Sequence, residues 1–67
     1  MKYLIRYLPS YKNARVLYYG GFLDGNPSWY SSHRYACSFD TYADSLLVVE
    51  ILAGVMRVPK TCFDIGT

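Results

Sequence analysis

FDTYADSLLVVEILAGVMRVP, residues 39–59, is the stretch that decides the fold. Asp40 and Thr41 offer side-chain oxygens to the unpaired amides of a first helical turn. Thr41, followed three residues later by Asp44, is a shortened capping box. Acidic residues at this end suit the positive pole of a helix dipole, and Arg57 suits the other pole. Pro59 sets the limit, because the residue before a proline avoids the α region. The stretch reads as one helix that starts at this cap and runs to about Arg57.

Placed on a wheel at about 100° per residue, Val48, Val49, Leu52, Val55 and Met56 cluster on one side, with Ile51 at the border. Glu50, Gly54 and Arg57 lie opposite, and Ala43, Leu46, Leu47 and Ala53 fall between. One sheet cannot cover so much of the circumference of one helix. Either residues 22–33 fold back over it with Phe22 and Trp29, or a second copy or another protein does. Leu46 and Leu47 are therefore candidates for a homodimer or partner interface.

Upstream of the helix, residues 2–8 alternate. Tyr3, Ile5 and Tyr7 share one face and Lys2, Leu4, Arg6 and Leu8 the other, which is the period of a strand. Pro9-Ser10 ends it. Residues 11–14 are polar and turn-like. Arg15 to Tyr19 is rich in strand formers until Gly20-Gly21 stops it, and pairs naturally with the first strand as a hairpin. Phe22 to His33 is irregular, with turn signals at Asp24-Gly25, Asn26-Pro27 and Ser31-Ser32. Arg34 to Phe39 reads as a third strand with Tyr35, Cys37 and Phe39 on one face. Downstream of the helix, Thr61 to Ile65 is a candidate edge strand. The expected class is α+β: one domain over residues 1–67, an antiparallel sheet of three or four strands, and one helix in the C-terminal half across a face of it.

The 67 residues are 52% hydrophobic with a formal net charge of +2, which excludes a disordered chain. No apolar run is long enough to cross a membrane, since the best candidate, Leu46 to Met56, contains Glu50. The first residues do not form a signal peptide, because Arg6 and Pro9 interrupt the apolar stretch. A cytoplasmic location is expected, where Cys37 and Cys62 stay reduced. Asn26-Pro27-Ser28 is no glycosylation acceptor because of its proline. Residues 1–34 hold Lys2, Arg6, Lys12, Arg15 and Arg34 against Asp24 alone, whereas Asp40, Asp44, Glu50 and Asp64 face only Arg57 and Lys60 later on. A basic sheet and an acidic helix region are expected from this split.

Eight tyrosines are several times what ordinary composition supplies. Tyrosine joins a large rigid contact area to one hydroxyl at low rotamer entropy, which is why it dominates many binding surfaces. Tyr3, Arg6, Tyr7, Tyr11, Lys12, Arg15, Tyr18 and Tyr19 interleave rings and cations over two neighbouring strands. Such a face suits protein contact, and it also suits stacked bases and phosphates as in single-strand binders, although the basic excess is small. Residues 26–33 set Trp29 and Tyr30 among small polar residues, a binding-loop composition. The same loop can instead act as a lid over the core, and the exposure of Trp29 separates the two uses. The contact candidates are Tyr11, Tyr18, Tyr19, Trp29 and Tyr30.

Chemistry is poorly supported. His33 and Cys37 would lie about 13 Å apart on a strand, with no third group to orient the histidine. His33, Cys37 and Cys62 lack metal-site spacing, and Gly20-Gly21 is too short for a phosphate loop. Neither catalysis, a metal nor a cofactor is expected.

Taken together, Lys2-Tyr3-Leu4-Ile5, Tyr18-Tyr19-Gly20-Gly21, Trp29, Ala36-x-x-Phe39-Asp40-Thr41-x-x-Asp44 and the apolar helix resemble the short β-β-β-α open reading frames of bacteriophages and mobile elements. Some proteins of that type, anti-CRISPR proteins among them, inhibit host defence by occupying a surface of a host complex. The resemblance implies a non-enzymatic inhibitor of a host protein complex, acting in the host cytoplasm. This chain is slightly basic, so contact through aromatic groups suits it better than imitation of nucleic acid.

Overall fold

A computed structural model of the chain describes residues 2–9 and 15–67. The helix, α1, spans Tyr42–Met56 and begins at the expected cap: Thr41 Oγ1 accepts a hydrogen bond from the Asp44 amide at 3.1 Å. It ends at Arg57, which adopts the left-handed conformation at φ 58°, and the Val58 amide returns to the Ala53 carbonyl at 3.2 Å. An L side chain is strained there, and glycine is the usual occupant.

Four strands form one antiparallel sheet: β1 (Leu4–Tyr7), β2 (Leu17–Leu23), β3 (Asn26–Tyr30) and β4 (Phe63–Gly66), in the order β3-β2-β1-β4. The hairpin between β1 and β2 forms with Arg6 opposite Tyr18 and Tyr7 opposite Leu17. The candidate edge strand near the end of the chain also forms, pairing Ile5 with Ile65 and Arg6 with Asp64. A short 3₁₀ turn, Lys60–Cys62, leads into it.

The third strand is not where the alternation of residues 34–39 places it. Residues 26–30 take that role instead. Asp24 and Gly25 both have positive φ, 53° and 81°, as a two-residue type I′ hairpin requires, and they close Leu23 onto Asn26. Pro27 is tolerated because β3 is an edge strand. Between Tyr19 and Phe22 the register slips by one residue, and Gly21 at φ 101° absorbs the bulge. Residues 33–35 form a 3₁₀ turn. The rest of that segment fills the splay between β1 and β2: the Cys37 amide donates to the Tyr19 carbonyl at 2.8 Å, and Phe39 exchanges two bonds with Tyr3, each 2.9 Å.

The register sorts the side chains. Ile5, Tyr7, Leu17, Tyr19, Trp29, Phe63 and Ile65 share the inner face; Arg6, Tyr18, Tyr30 and Asp64 share the outer one. Ile5, Tyr19, Val49 and Leu52 are the buried core. The helix packs on β1 and β4. Rings cover the remainder of the inner face, with Trp29 centred 5.2 Å from Tyr7 and 5.8 Å from Tyr19, and Tyr19 stacked on Phe39. The buried stripe of α1 is Ser45, Val49 and Leu52 with Met56 beside it, rotated from the expected one. Ser45 is fully buried because it is small, and its hydroxyl donates to the Tyr42 carbonyl at 2.6 Å. Val55, expected inside, is 52% exposed as a result.

Two substitutions test these constraints. Arg57→Gly should raise stability by about 1 kcal/mol by relieving the left-handed residue, read as a higher denaturant midpoint. A Cβ on Gly20 would collide with the Tyr30 ring. Gly20→Ala should therefore cost about 1–3 kcal/mol, and adding Tyr30→Ala should return part of that loss in a double-mutant cycle.

Candidate functional site

Two surfaces have no internal partner among the described residues. The first is the solvent side of α1. Leu47, Ile51 and Val55 recur every fourth residue, so they line up along the helix, and Leu47 and Ile51 are 61% and 54% exposed. Leu46 flanks the row and is also exposed. The hairpin of β2 and β3 does not cover these leucines, because β3 lies at the edge of the sheet opposite β4, which the helix packs against. Exposed apolar surface continues from the row into a groove of about 590 Å³ between α1 and β4, where Tyr42, Ala43, Leu46 and Leu47 face Phe63 and Ile65. One rim of the groove is closed by Lys60, whose Nζ donates to Glu50 at 2.6 Å. That hydrogen bond, followed by the lysine charge, holds the Glu50 carboxyl below its ordinary range.

The strand bordering this groove has an open edge. The Leu8 amide bonds to the Cys62 carbonyl, so by antiparallel alternation Asp64 turns its backbone groups to β1, while Phe63 and Ile65 turn theirs outward. The Phe63 amide is used by the Lys60 carbonyl. The Ile65 amide and the carbonyls of Phe63 and Ile65 remain as a short template for another strand. The opposite edge is guarded: Pro27 supplies no donor, and the bulge at Gly20-Gly21 twists the pair. No proline or bulge guards β4.

The second surface is the outer face of the sheet, which α1 does not cover. The register lines up Asp64, Arg6, Tyr18 and Tyr30 in one row across all four strands. Arg6 is fixed by Asp64, its Nε and Nη2 donating to one carboxylate oxygen at 3.0 and 2.7 Å. The guanidinium lies over Gly66, where a Cβ would stand 2.9 Å from Cζ. Tyr30 lies over Gly20 in the same way, and Tyr35 packs against it with ring centres 5.5 Å apart. His33 meets the edge of Tyr18 at 6.2 Å.

These placements divide the candidate contact residues. Tyr30 points outward and is 38% exposed, Tyr18 is half-buried on the same face, and Leu46 and Leu47 lie on the groove. Tyr19 is buried, and Trp29 is half-buried within the inner aromatic cluster, so neither belongs to the outer face. Tyr11, with Lys12, lies outside the described residues. The interleaving of rings and cations along β1 and β2 is thus split by the pleat: Tyr3, Tyr7 and Tyr19 turn inward, Arg6 and Tyr18 outward. Ile51, Val55 and the edge of β4 are parts of this exposed surface that the helical wheel and the strand pattern did not single out.

Folding brings two cations of the basic half onto two acids of the other half. Lys2 pairs with Asp40, and Arg6 pairs with Asp64, each joining the basic half to the acidic one. His33 is on a 3₁₀ turn against Tyr18, Cys37 lies beside Gly21, and both cysteines are free thiols. Among the described residues no three His, Cys, Asp or Glu side chains gather as a metal site, and no helix is long and apolar enough to cross a membrane.

Compared with protein-family models, curated proteins and solved structures, the chain matches none.

Burial pushes the Tyr19 phenol above its ordinary value of 10.0, and a negative charge on Cys37 adds to the shift. The fold thus favours the neutral phenol. Its contribution to stability is whole below pH 10.0 and is lost as pH rises through the raised folded value. Absorbance at 295 nm should show one late-ionising tyrosine that Tyr19→Phe removes, and the variant should resist alkaline unfolding better than the parent.

Proposed function

We propose that this chain is a small non-enzymatic protein-binding module that docks through the outward row of α1 and the groove beside β4. The row of Leu47, Ile51 and Val55, exposed and continuous with that groove, carries the reading. Leaving such side chains in water wastes burial worth about 1.5–3 kcal/mol each, and a domain this small has few large apolar groups to spare. The groove also says what kind of segment fits. Its helix wall is mostly apolar, with Glu50 turned to Lys60 at the rim, and its strand wall offers one backbone donor and two acceptors at Phe63 and Ile65. An extended apolar segment of a partner meets both demands, adding a strand to β4 while its side chains enter the groove. The resemblance to small phage and mobile-element proteins supplies the nature of the partner, a host protein complex whose surface is occupied and thereby inhibited.

The test compares the parent chain with the Leu47→Gln, Ile51→Gln double variant as baits in a lysate of the source cells. Both positions are exposed, so the variant should keep its fold and circular-dichroism spectrum. A protein retained by the parent and lost with the variant is the expected result. With that partner bound, the Ile65 amide should also gain protection from hydrogen exchange. The reading is overturned by a partner that both baits retain equally, or by no partner at all. Doubling of the parent's mass in light scattering, abolished in the variant, would assign the same surface to a second copy of the chain.

A further inference from the structure

We propose that the outer face of the sheet is a second binding surface, a shallow platform for single-stranded nucleic acid, separate from the docking side. Arg6, Tyr18 and Tyr30 stand side by side on three neighbouring strands, so they are spaced at about 4.8 Å each. Two glycines shape this row. Gly66 lets the Arg6 guanidinium lie down on β4, and Gly20 lets the Tyr30 ring lie down on β2; a Cβ at either place would collide with the group it carries. Low-lying rings and guanidinium groups on an open sheet are what a base stacks upon, and every base has a face to offer. Tyr35, 62% exposed and packed against Tyr30, extends the platform by one ring.

The charges agree with this ligand. Asp64 is the one acid in the row, and it is already held by Arg6. Asp40 is held by Lys2, Asp24 sits at the tip of the β2–β3 hairpin, and Asp44 and Glu50 are carried by α1 on the other side of the sheet. Arg34, between His33 and Tyr35 in the 3₁₀ turn that packs on the row, is exposed and has no ion-pair partner among the described residues. Arg34 is thus the cation for a phosphate, while Arg6, neutralised by Asp64, offers the flat face of its guanidinium for stacking. A duplex hides its base faces, so the strand must be single.

Fluorescence anisotropy with a labelled oligothymidylate tests the platform. Binding should be visible at low salt and weaken with a log–log slope of about −0.7, as one phosphate contact on a single strand predicts. Tyr30→Ala, Tyr35→Ala and Arg34→Glu should each weaken it by about tenfold, the loss expected for one stacked base or one neutralised phosphate. Tyr35 lies outside the strands, so its variant tests stacking without risk to the sheet. Arg57→Glu makes the same charge change at the end of α1 and should shift affinity less than about twofold, because it is screened from the platform. Absence of binding at low salt overturns the proposal. Equal losses from Arg57→Glu and Arg34→Glu, with the tyrosine variants silent, also overturn it, since that pattern is diffuse charge attraction. The outcome is independent of the bait experiment, which reads only α1.

Discussion

The burial of Ile5 beneath Val49 and Leu52 is the contact on which the rest of the molecule depends. β1 is gripped along both sides, by β4 on one and by β2 and then Phe39 on the other. Its inward side chain is wholly removed from water, as is Leu52 above it. The close approach needed for this burial is set by Ser45, since a leucine in its place would hold the helix off the sheet. Ser45 has no apolar surface of consequence, so hydropathy alone swings the inferred stripe toward Val55. The small residue therefore decides which large ones reach solvent: turning the stripe to Ser45, Val49 and Leu52 leaves Leu47, Ile51 and Val55 outside.

Size then limits what can be covered. One helix spans about 10 Å with its side chains, close to the width of two strands, and a four-stranded sheet is wider than that. Here α1 lies over β1 and β4, and the other half of the inner face is closed by rings rather than by a second helix. The high aromatic content has a structural use before any binding use. Trp29, Tyr7, Tyr19, Phe39 and Phe63 replace a missing element of secondary structure. That accounts for the inward half of the tyrosine excess, and it leaves Tyr18, Tyr30 and Tyr35 as the rings on the other side that packing does not require.

Legibility in the sequence followed how local each cause was. Thr41, Asp44 and Pro59 act within a few residues of themselves, and the helix lies where they place it. The first strand was likewise readable from its alternation and its partner from a run of strand formers, but Gly20-Gly21, read as a stop, is instead a bulge through which β2 continues to Leu23. The third strand was not, because its two signals point opposite ways when read singly. Pro27 and Asn26 argue for a loop, yet a proline at a sheet edge is harmless, and Asp24-Gly25 is a hairpin turn once the segments beside it are strands. Residues 34–39 alternate as a strand does, but only Cys37 and Phe39 bond to the strands, where β1 and β2 part just enough to admit them, while the Tyr35 and Ala36 amides close the 3₁₀ turn onto Ser32 and His33. Among the candidate positions, Tyr18 and Tyr30 were singled out from residue type and Leu46 and Leu47 from the helical wheel, and all four lie on the surface described. The edge of β4 and the row across the outer face were not, because both are products of register, a long-range property.

The two exposed surfaces differ in chemistry in a way that separates their uses. The side of α1 is aliphatic, with its nearby charges, Glu50 and Lys60, already satisfied by one another. Such a surface gains by excluding water and gains little from a charged ligand. The outer face carries a row of rings beside a paired guanidinium, with Arg34 next to it and Leu8 at its margin, and its glycines make its planar groups lie low, which presents ring faces. The ion pairs keep the distinction in place: Lys2 with Asp40 and Arg6 with Asp64 neutralise acids that would otherwise sit next to the outer face. Exposed pairs of this kind contribute about 0–1 kcal/mol to stability, so their larger effect is on the sign of the surface rather than on the fold. One core thus carries two faces of different chemistry, with the sheet between them.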